Sequence, residues 1–261
     1  MPILRPFLGF AGNVGTQIEL FGAVVVRAGS IPARWALIAA QIFQSAIQTV
    51  HVVLLVGLFI GMIVSLQTGI ELMRIGQQDQ IGTIVAISMA REMGPFITAT
   101  ILAATAGSSM AAELGTMAVS DELAALEVLS IDRIKLLVLP RLVAVALAAP
   151  LLTILCDSIG IFGGGFVAHA QLHVSWQLYS DSAIEALRDP AHIFPLPKDL
   201  YAGLFKSGIF GILIAVIGCS SGLRAKGGAL GVGQATRAAV RDSIIAVIVA
   251  NYFITWMLYQ S

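Results

Sequence analysis

Charge is scarce in this chain. Asp, Glu, Lys and Arg together supply 11% of its 261 residues, where a soluble domain carries about 25%. Fifteen basic side chains balance fifteen acidic ones, so no net field draws the chain to nucleic acid or to an acidic partner. Hydrophobic residues reach 57%, and the mean hydropathy is +0.90. So few charges cannot cover the surface of a soluble enzyme of this length, and so apolar a chain does not stay disordered. Cysteine is almost missing as well. Cys156 and Cys219 lie inside apolar runs and read as small buried residues rather than a disulfide or a metal site. A cleavable signal is not expected, because the apolar stretch after Arg5 is soon broken by Asn13, Gln17 and Glu19. Nor does an Arg- and Ser-rich transit peptide stand there. What these absences leave is a polytopic membrane protein.

A helix needs about 20 mostly apolar residues to cross the hydrocarbon layer. Five segments qualify, at 51–70, 81–105, 137–168, 200–222 and 240–258. The third is long enough to tilt, or to hold a break at Gly163-Gly164-Gly165. The uncharged stretch from Trp35 to Val50 carries Gln41, Gln44, Ser45 and Gln48, and is expected to lead obliquely into the first span. Further upstream, Phe7, Phe10, Val14, Ile18, Phe21 and Val25 recur at spacings of three and four, opposite Asn13, Thr16 and Glu19. One apolar stripe with few charges suits a helix lying in the membrane interface. The expected fold is therefore an all-α membrane protein. It has an N-terminal interfacial or elbow segment over residues 1–50 and a transmembrane domain of five helices over 51–261.

Lysine and arginine set the expected orientation. With the N-terminus cytoplasmic, ten fall on inner segments: Arg5, Arg27, Arg34, Arg133, Lys135, Arg141, Arg224, Lys226, Arg237 and Arg241. Three fall outside, at Arg74, Arg188 and Lys198. That bias places the positive side in the cytoplasm, and five crossings leave the C-terminus outside. The inner stretch 107–136 is too long for a turn and has helical character. The outer stretch 169–199, with His169, His173, Trp176, Tyr179, Asp181, Glu185 and three prolines, is expected to cap the outer face.

Nucleotide-binding signatures are also lacking. No G-x-x-x-x-G-K-[ST] loop occurs, and Gly231-Val232-Gly233-Gln234-Ala235-Thr236 is only a fragment of a dinucleotide fingerprint. ATP, if used, must be bound by another chain. His169 and His173 are four apart but lack the glutamate of H-E-x-x-H, so no metal site is expected. An intramembrane hydrolase built on His51, Ser65 or Asp157 has no positive support from spacing.

The informative residues are charges inside the spans. Arg91-Glu92 sits halfway along the second and Lys206 within the fourth. A charge at the bilayer centre costs about 2.5–3.5 kcal/mol on insertion scales, so each needs a partner, a polar cavity or protein around it. Neighbours on a helix point about 100° apart, which lets one contact substrate while the other ties helices together. The competing reading is an internal ion pair that only fixes packing. Gln67, near the outer end of the first span, is a weaker polar candidate. Gly57-x-x-x-Gly61, Gly160-x-x-x-Gly164 and Gly218-x-x-x-Gly222, with the run Ala103 to Ser108, permit close helix approach. Between the second and third spans, Ser120 can cap a helix whose first turn holds Asp121 and Glu122. Leu123, Leu126 and Leu129 follow in helical phase. That amphipathic helix is either a bare interfacial loop or a coupling helix for a motor protein.

Taken in order, several motifs resemble the MlaE/YrbE permeases over nearly the whole chain from about residue 45. They are Arg91-Glu92-Met93-Gly94-Pro95, Ala112-Glu113-Leu114-Gly115-Thr116-Met117, Ala125-Leu126-Glu127-Val128, Pro140-Arg141 and Gly227 to Thr236. The resemblance implies the membrane subunit of an ABC transporter moving phospholipids between a bacterial inner membrane and the outer envelope. It implies a homodimer, or a heterodimer with a paralogue. The implied partners are a cytoplasmic MlaF-like ATPase that holds ATP and Mg, an MlaD-like MCE-domain protein and an MlaB-like STAS-domain protein. No cofactor is implied in this chain. By position the resemblance also implies substrate contacts at Arg91, Glu92, Lys206 and Gln67, and a lipid cavity lined by Val64, Leu72 and Ile75. Residues 120–131, with Ser120, Asp121, Glu122, Leu123, Leu126 and Glu127, match the coupling helix. The chain departs from the family pattern at Ala103-Ala104-Thr105, where an A-G-R run is usual. It also has Asn251 where an aspartate is common and Arg237 where a threonine is.

The expected mechanism follows from these residues. Two copies pack along their first and fifth spans around an apolar cavity. Arg91 or Lys206 meets the phosphate, and Glu92 orients the arginine or holds the dimer. The ATPase works the cavity through helix 120–131. The rivals are a stand-alone secondary transporter or channel for a lipid-like or small amphipathic substrate, and an intramembrane enzyme.

Overall fold

The computed structural model describes residues 4–188 and 198–259, with side chains from Val14 onward except Ala33. Phe7 and Phe10 of the N-terminal stripe, Asn13 opposite it, and Pro190, Pro195 and Pro197 lie outside the side chains described. Among the described residues there are helices and turns and no strand. Helix α1 runs over Leu4–Val26, and α2 over Trp35–Arg74, α3 over Gln78–Val119. A short α4 covers Glu122–Val128. Then come α5 over Ile134–Ala170, α6 over Trp176–Ala186, and α7 over Lys198–Leu223 and α8 over Gly228–Tyr259. Five of these, α2, α3, α5, α7 and α8, are long and apolar enough to cross a membrane. Runs so rich in Val, Ile and Leu become helices because a helix satisfies its own backbone polar groups where no water is present.

The expected spans are extended rather than displaced. The stretch from Trp35 to Val50 is continuous with the first span, so α2 has 40 residues, about 60 Å at 1.5 Å per residue. Likewise α3 continues to Val119, through the first part of the stretch 107–136 expected on the inner side. Three wide turns with i→i+5 spacing interrupt the regular winding, at Met89–Met93, Ala103–Gly107 and Ile134–Val138. Two of them precede a proline, Pro95 and Pro140. Proline has no N–H for the carbonyl four residues back, and a widened turn relieves its ring of that carbonyl.

The chain packs into two compact units. One draws on Met1–Ser45, Leu102–Leu147 and Gly211–Val247, the other on Ala46–Ile101, Ala148–Phe210 and Ile248–Ser261. In the second unit, small residues set how closely α2 and α5 approach. A Cβ on Gly57 would stand 2.9 Å from the Cys156 sulfur, and one on Gly61 would strike the Gly160 carbonyl. No break occurs at Gly163-Gly164-Gly165, and α5 passes straight through. These glycines give up side-chain volume instead, to Leu58, to the Tyr179 hydroxyl and to Trp176. The core there gathers Val53, Leu72, Ile81, Val85, Met89 and Cys156 with Leu172, Val174 and Tyr179 from the segment around α6. Tyr179 donates to the Ile161 carbonyl at 2.9 Å, and burial raises its phenol above the usual range, so it stays a neutral donor.

In the first unit, Gly218 and Gly222 of α7 admit the backbone of Gly107 and Ala111 of α3, with would-be Cβ distances of 2.9 and 2.8 Å. Arg141 donates to Glu113 at 2.9 Å, and Ser109 donates to the other oxygen of the same carboxylate at 2.9 Å. Ser120 does not cap α4 as its spacing suggested. Its N–H and hydroxyl both donate to the Thr116 carbonyl, at 3.0 and 2.9 Å, so it closes α3. Asp121 then turns the chain at φ 59° into α4. The described part of the α1 stripe, Val14, Ile18, Phe21 and Val25, is exposed, as suits a helix with no protein partner on that face.

Two of the five long helices are left bare. Within the chain's own fold, only 28% of the apolar window of α2 and 11% of that of α8 is buried, against 50–56% for the other three. Phe59, Ile63, Tyr252, Phe253 and Trp256 all lie on those exposed faces.

Candidate functional site

Arg91, Glu92 and Lys206 join one network in the second unit. It begins with a backbone defect. Pro95 cannot donate to the carbonyl of Arg91, and that carbonyl instead accepts from Lys206 Nζ at 3.1 Å. The same ammonium donates to Glu92 Oε1 at 2.6 Å and to Thr255 Oγ1 at 2.7 Å. All three Lys206 hydrogens are thus accounted for, and its side chain has 0% exposure. Glu92 Oε2 accepts from Asn251 Nδ2 at 3.0 Å. Arg91 turns to different partners. Its Nε and Nη2 reach Asp199 Oδ1 at 2.9 and 2.8 Å, and its guanidinium lies 4.3 Å from the centre of the Tyr259 ring. Tyr259 donates to the same Asp199 oxygen at 3.0 Å.

Two cations therefore meet two carboxylates in neutral pairs, and Lys198 Nζ stands at the margin, 5.7 Å from the centre of the Tyr259 ring. Charges with so little water persist only when paired and hydrogen-bonded. Asn251 fits this balance, since an amide donates to Glu92 where a third acid would repel it. Arg91 and Glu92 sit in the wide turn Met89–Met93, and although adjacent they both reach residues of α7 and α8. The two cations differ in access. Lys206 is enclosed, whereas the Arg91 side chain is 35% exposed.

The other expected site residues fall in different settings. Gln67 and Ile75 are exposed, and Val64 is half-buried against the core margin. Leu72 is turned inward, at 9% exposure within the core cluster. On α4, Leu123 is buried, Leu126 half-buried, and Asp121, Glu122 and Glu127 are exposed. Glu127 pairs with Arg133 at 2.6 Å. Val128 and Leu129 stand out at 86% and 68% exposure, so an apolar tip closes α4. Sequence reasoning missed Asp199, Thr255 and Tyr259. A signal did exist: Asn251, Thr255 and Tyr259 recur every four residues, and Asp199 lies seven before Lys206, each set on one helix face.

No group of three or more His, Cys, Asp or Glu able to hold a metal occurs among the described residues. Five helices long and apolar enough to cross a membrane, three of them joined by paired charges and hydrogen bonds, define a multi-pass membrane protein. The chain belongs to the MlaE permease family, whose profile matches residues 38–257 and so takes in all or most of each long helix. It is 38% identical over 213 residues to a probable ABC transporter permease protein of Synechocystis, covering 82% of this chain and 78% of that one. A probable ABC transporter permease protein of Rickettsia conorii is 34% identical over 251 residues, with 96% and 94% covered. The intermembrane phospholipid transport system permease protein MlaE of Haemophilus influenzae is 29% identical over 240 residues, with 92% and 89% covered.

Proposed function

We propose that this chain is the permease subunit of an ATP-driven transporter that moves phospholipids between a bacterial inner membrane and the outer envelope. The observation that carries the reading is the family match across the long helices, joined to a relative named for intermembrane phospholipid transport. In this reading the N-terminus is cytoplasmic and the C-terminus periplasmic, following the lysine and arginine bias. ATP and Mg belong to a separate cytoplasmic ATPase, since this sequence carries no phosphate-binding loop. An MCE-domain protein stands outside, and a STAS-domain protein is a further partner of the ATPase.

The bare faces of α2 and α8 support a second copy as the neighbour there, with an apolar lipid cavity between copies. Tails already prefer apolar walls, so the headgroup is what the cavity discriminates. Arg91 is the cation for that task, because its exposed third can meet a phosphate while Lys206 is fully occupied within the protein. Glu92 and Lys206 instead hold α3, α7 and α8 in the arrangement that presents Arg91. ATP-driven closure of the ATPase would act on α4 through Val128 and Leu129. Nucleotide must favour one conformation over the other, since binding alone gives no direction.

Photocrosslinking tests the cavity. A benzophenone side chain at position 67 or 75 should form adducts with labelled phospholipid in cells, and one at position 72 should not. Adducts absent from both 67 and 75 would remove the cavity from this account.

A further inference from the structure

An open depression lies between the end of α1 and the start of α5. A cavity of about 560 Å³ is lined by Val26, Arg27, Gly29, Ser30, Asp132 and Lys135. Its one carboxylate accepts three hydrogen bonds. Asp132 Oδ2 accepts from Arg27 Nε at 2.6 Å, and Oδ1 accepts the backbone N–H groups of Ile134 and Lys135 at 3.0 and 3.2 Å. Arg27 also donates through Nη1 to the Ala23 carbonyl at 2.9 Å, which fixes its guanidinium at the cavity wall. The Lys135 ammonium makes no ion pair among the described residues, so the lining carries one positive charge in excess. Beside this cavity runs the exposed apolar face of α1, with Ile18, Val25 and Val26 at 67%, 55% and 83% exposure.

We infer that this cavity holds the headgroup of an anionic glycerophospholipid that stays bound rather than being transported. The cations take the phosphate, and the apolar face of α1 takes the acyl chains. Lipid fits better than a soluble anion because the cationic lining and the bare apolar face adjoin. An anionic headgroup fits better than a choline or ethanolamine one because the lining's one carboxylate is already paired with Arg27, which leaves the Lys135 charge in excess. The lipid would tie α1 to the residues that directly follow α4. The inference rests on the proposed placement of α1 in the membrane interface, but not on transport.

Native mass spectrometry of the full chain, released from nanodiscs of equimolar phosphatidylglycerol and phosphatidylcholine, tests it. The wild type should retain phosphatidylglycerol in about fivefold excess, the effect expected of one cation near an anionic lipid. Lys135→Gln should bring the ratio close to one, and Lys135→Arg should keep the excess. No preference in the wild type, or an excess that survives Lys135→Gln, would overturn the site. A thermal unfolding curve for each variant separates lost binding from lost fold, and Lys135→Arg failing to bind while folded would also count against it. Millimolar sn-glycerol 3-phosphate should leave the lipid in place; displacement would refute the lipid in favour of a plain anion site. Phosphatidylglycerol retained by a chain that moves no phospholipid with ATP would reject the transport reading while supporting this one.

Discussion

Truncating Glu92 should damage this protein more than truncating Lys206, although the two form one ion pair. Lys206 is wholly enclosed, while the Glu92 side chain keeps 27% exposure. Glu92→Ala leaves a buried ammonium with two neutral acceptors, Thr255 Oγ1 at 2.7 Å and the Arg91 carbonyl at 3.1 Å. Removing one partner of a buried pair costs about 3–5 kcal/mol, because the remaining charge is uncompensated. Lys206→Met keeps most of the side-chain volume. It leaves Glu92 with Asn251 at 3.0 Å and Thr255 at 3.0 Å, on a side chain that is not wholly enclosed. Its main loss is the donor to the carbonyl that Pro95 orphans, about 1–3 kcal/mol. The double variant Glu92→Ala with Lys206→Met removes both charges and should cost less than the two single losses added, by about 0.5–3 kcal/mol. Denaturant or thermal unfolding of the purified chain in detergent, followed by size exclusion, reads all three. Equal costs for the two single variants, or strict additivity in the double, would refute the reasoning.

Other consequences are as direct. Gly61→Ala and Gly94→Ala should each destabilise by about 1–3 kcal/mol or more, since their methyls would strike the Gly160 backbone and the Asp157 carboxyl. Gly22→Ala, with nothing within 4 Å, should be neutral or slightly stabilising in the same unfolding assay. The Arg27 hydrogen bond holds the Asp132 carboxyl below its ordinary 3.8. A depressed carboxylate contributes stability above that value and loses it as pH falls through the lower, folded-state value. Arg27→Gln should therefore cost about 0.2–1 kcal/mol at neutral pH, as for a partly exposed pair, and the difference should vanish in strong acid. Aspartate at both Val128 and Leu129 should abolish copurification of the ATPase without lowering the unfolding temperature of the chain, and unchanged copurification would remove α4 from the coupling role.

The five spans were legible because lipid imposes one rule: long uncharged runs must be helical. Their lengths were less so. The glutamines between Trp35 and Val50 made that stretch look unlike a span, yet uncharged polar residues do not stop a helix, and α2 runs through them. Gly163-Gly164-Gly165 suggested a break because glycine weakens a helix, but here neighbouring side chains occupy the space it leaves. Ser120 has capping chemistry at either end of a helix, and the length of α3 decides which end it serves. Arg91, Glu92 and Lys206 stood out as charges in apolar surroundings. Their pairing did not, since Arg91 and Asp199 are 108 residues apart in the chain. Only packing reveals that Lys206 is enclosed and Arg91 is the cation with access.

The central claim is that the chain moves phospholipid when a separate ATPase burns nucleotide. Purified chain and ATPase, reconstituted in liposomes with a fluorescent phospholipid and an acceptor MCE-domain protein, should show lipid transfer that needs ATP and Mg. The rate should fall at least tenfold in Arg91→Ala, about the loss of one charge-assisted contact of 1.4 kcal/mol or more. Transfer at the same rate without ATP, or none with every component present, would contradict the account.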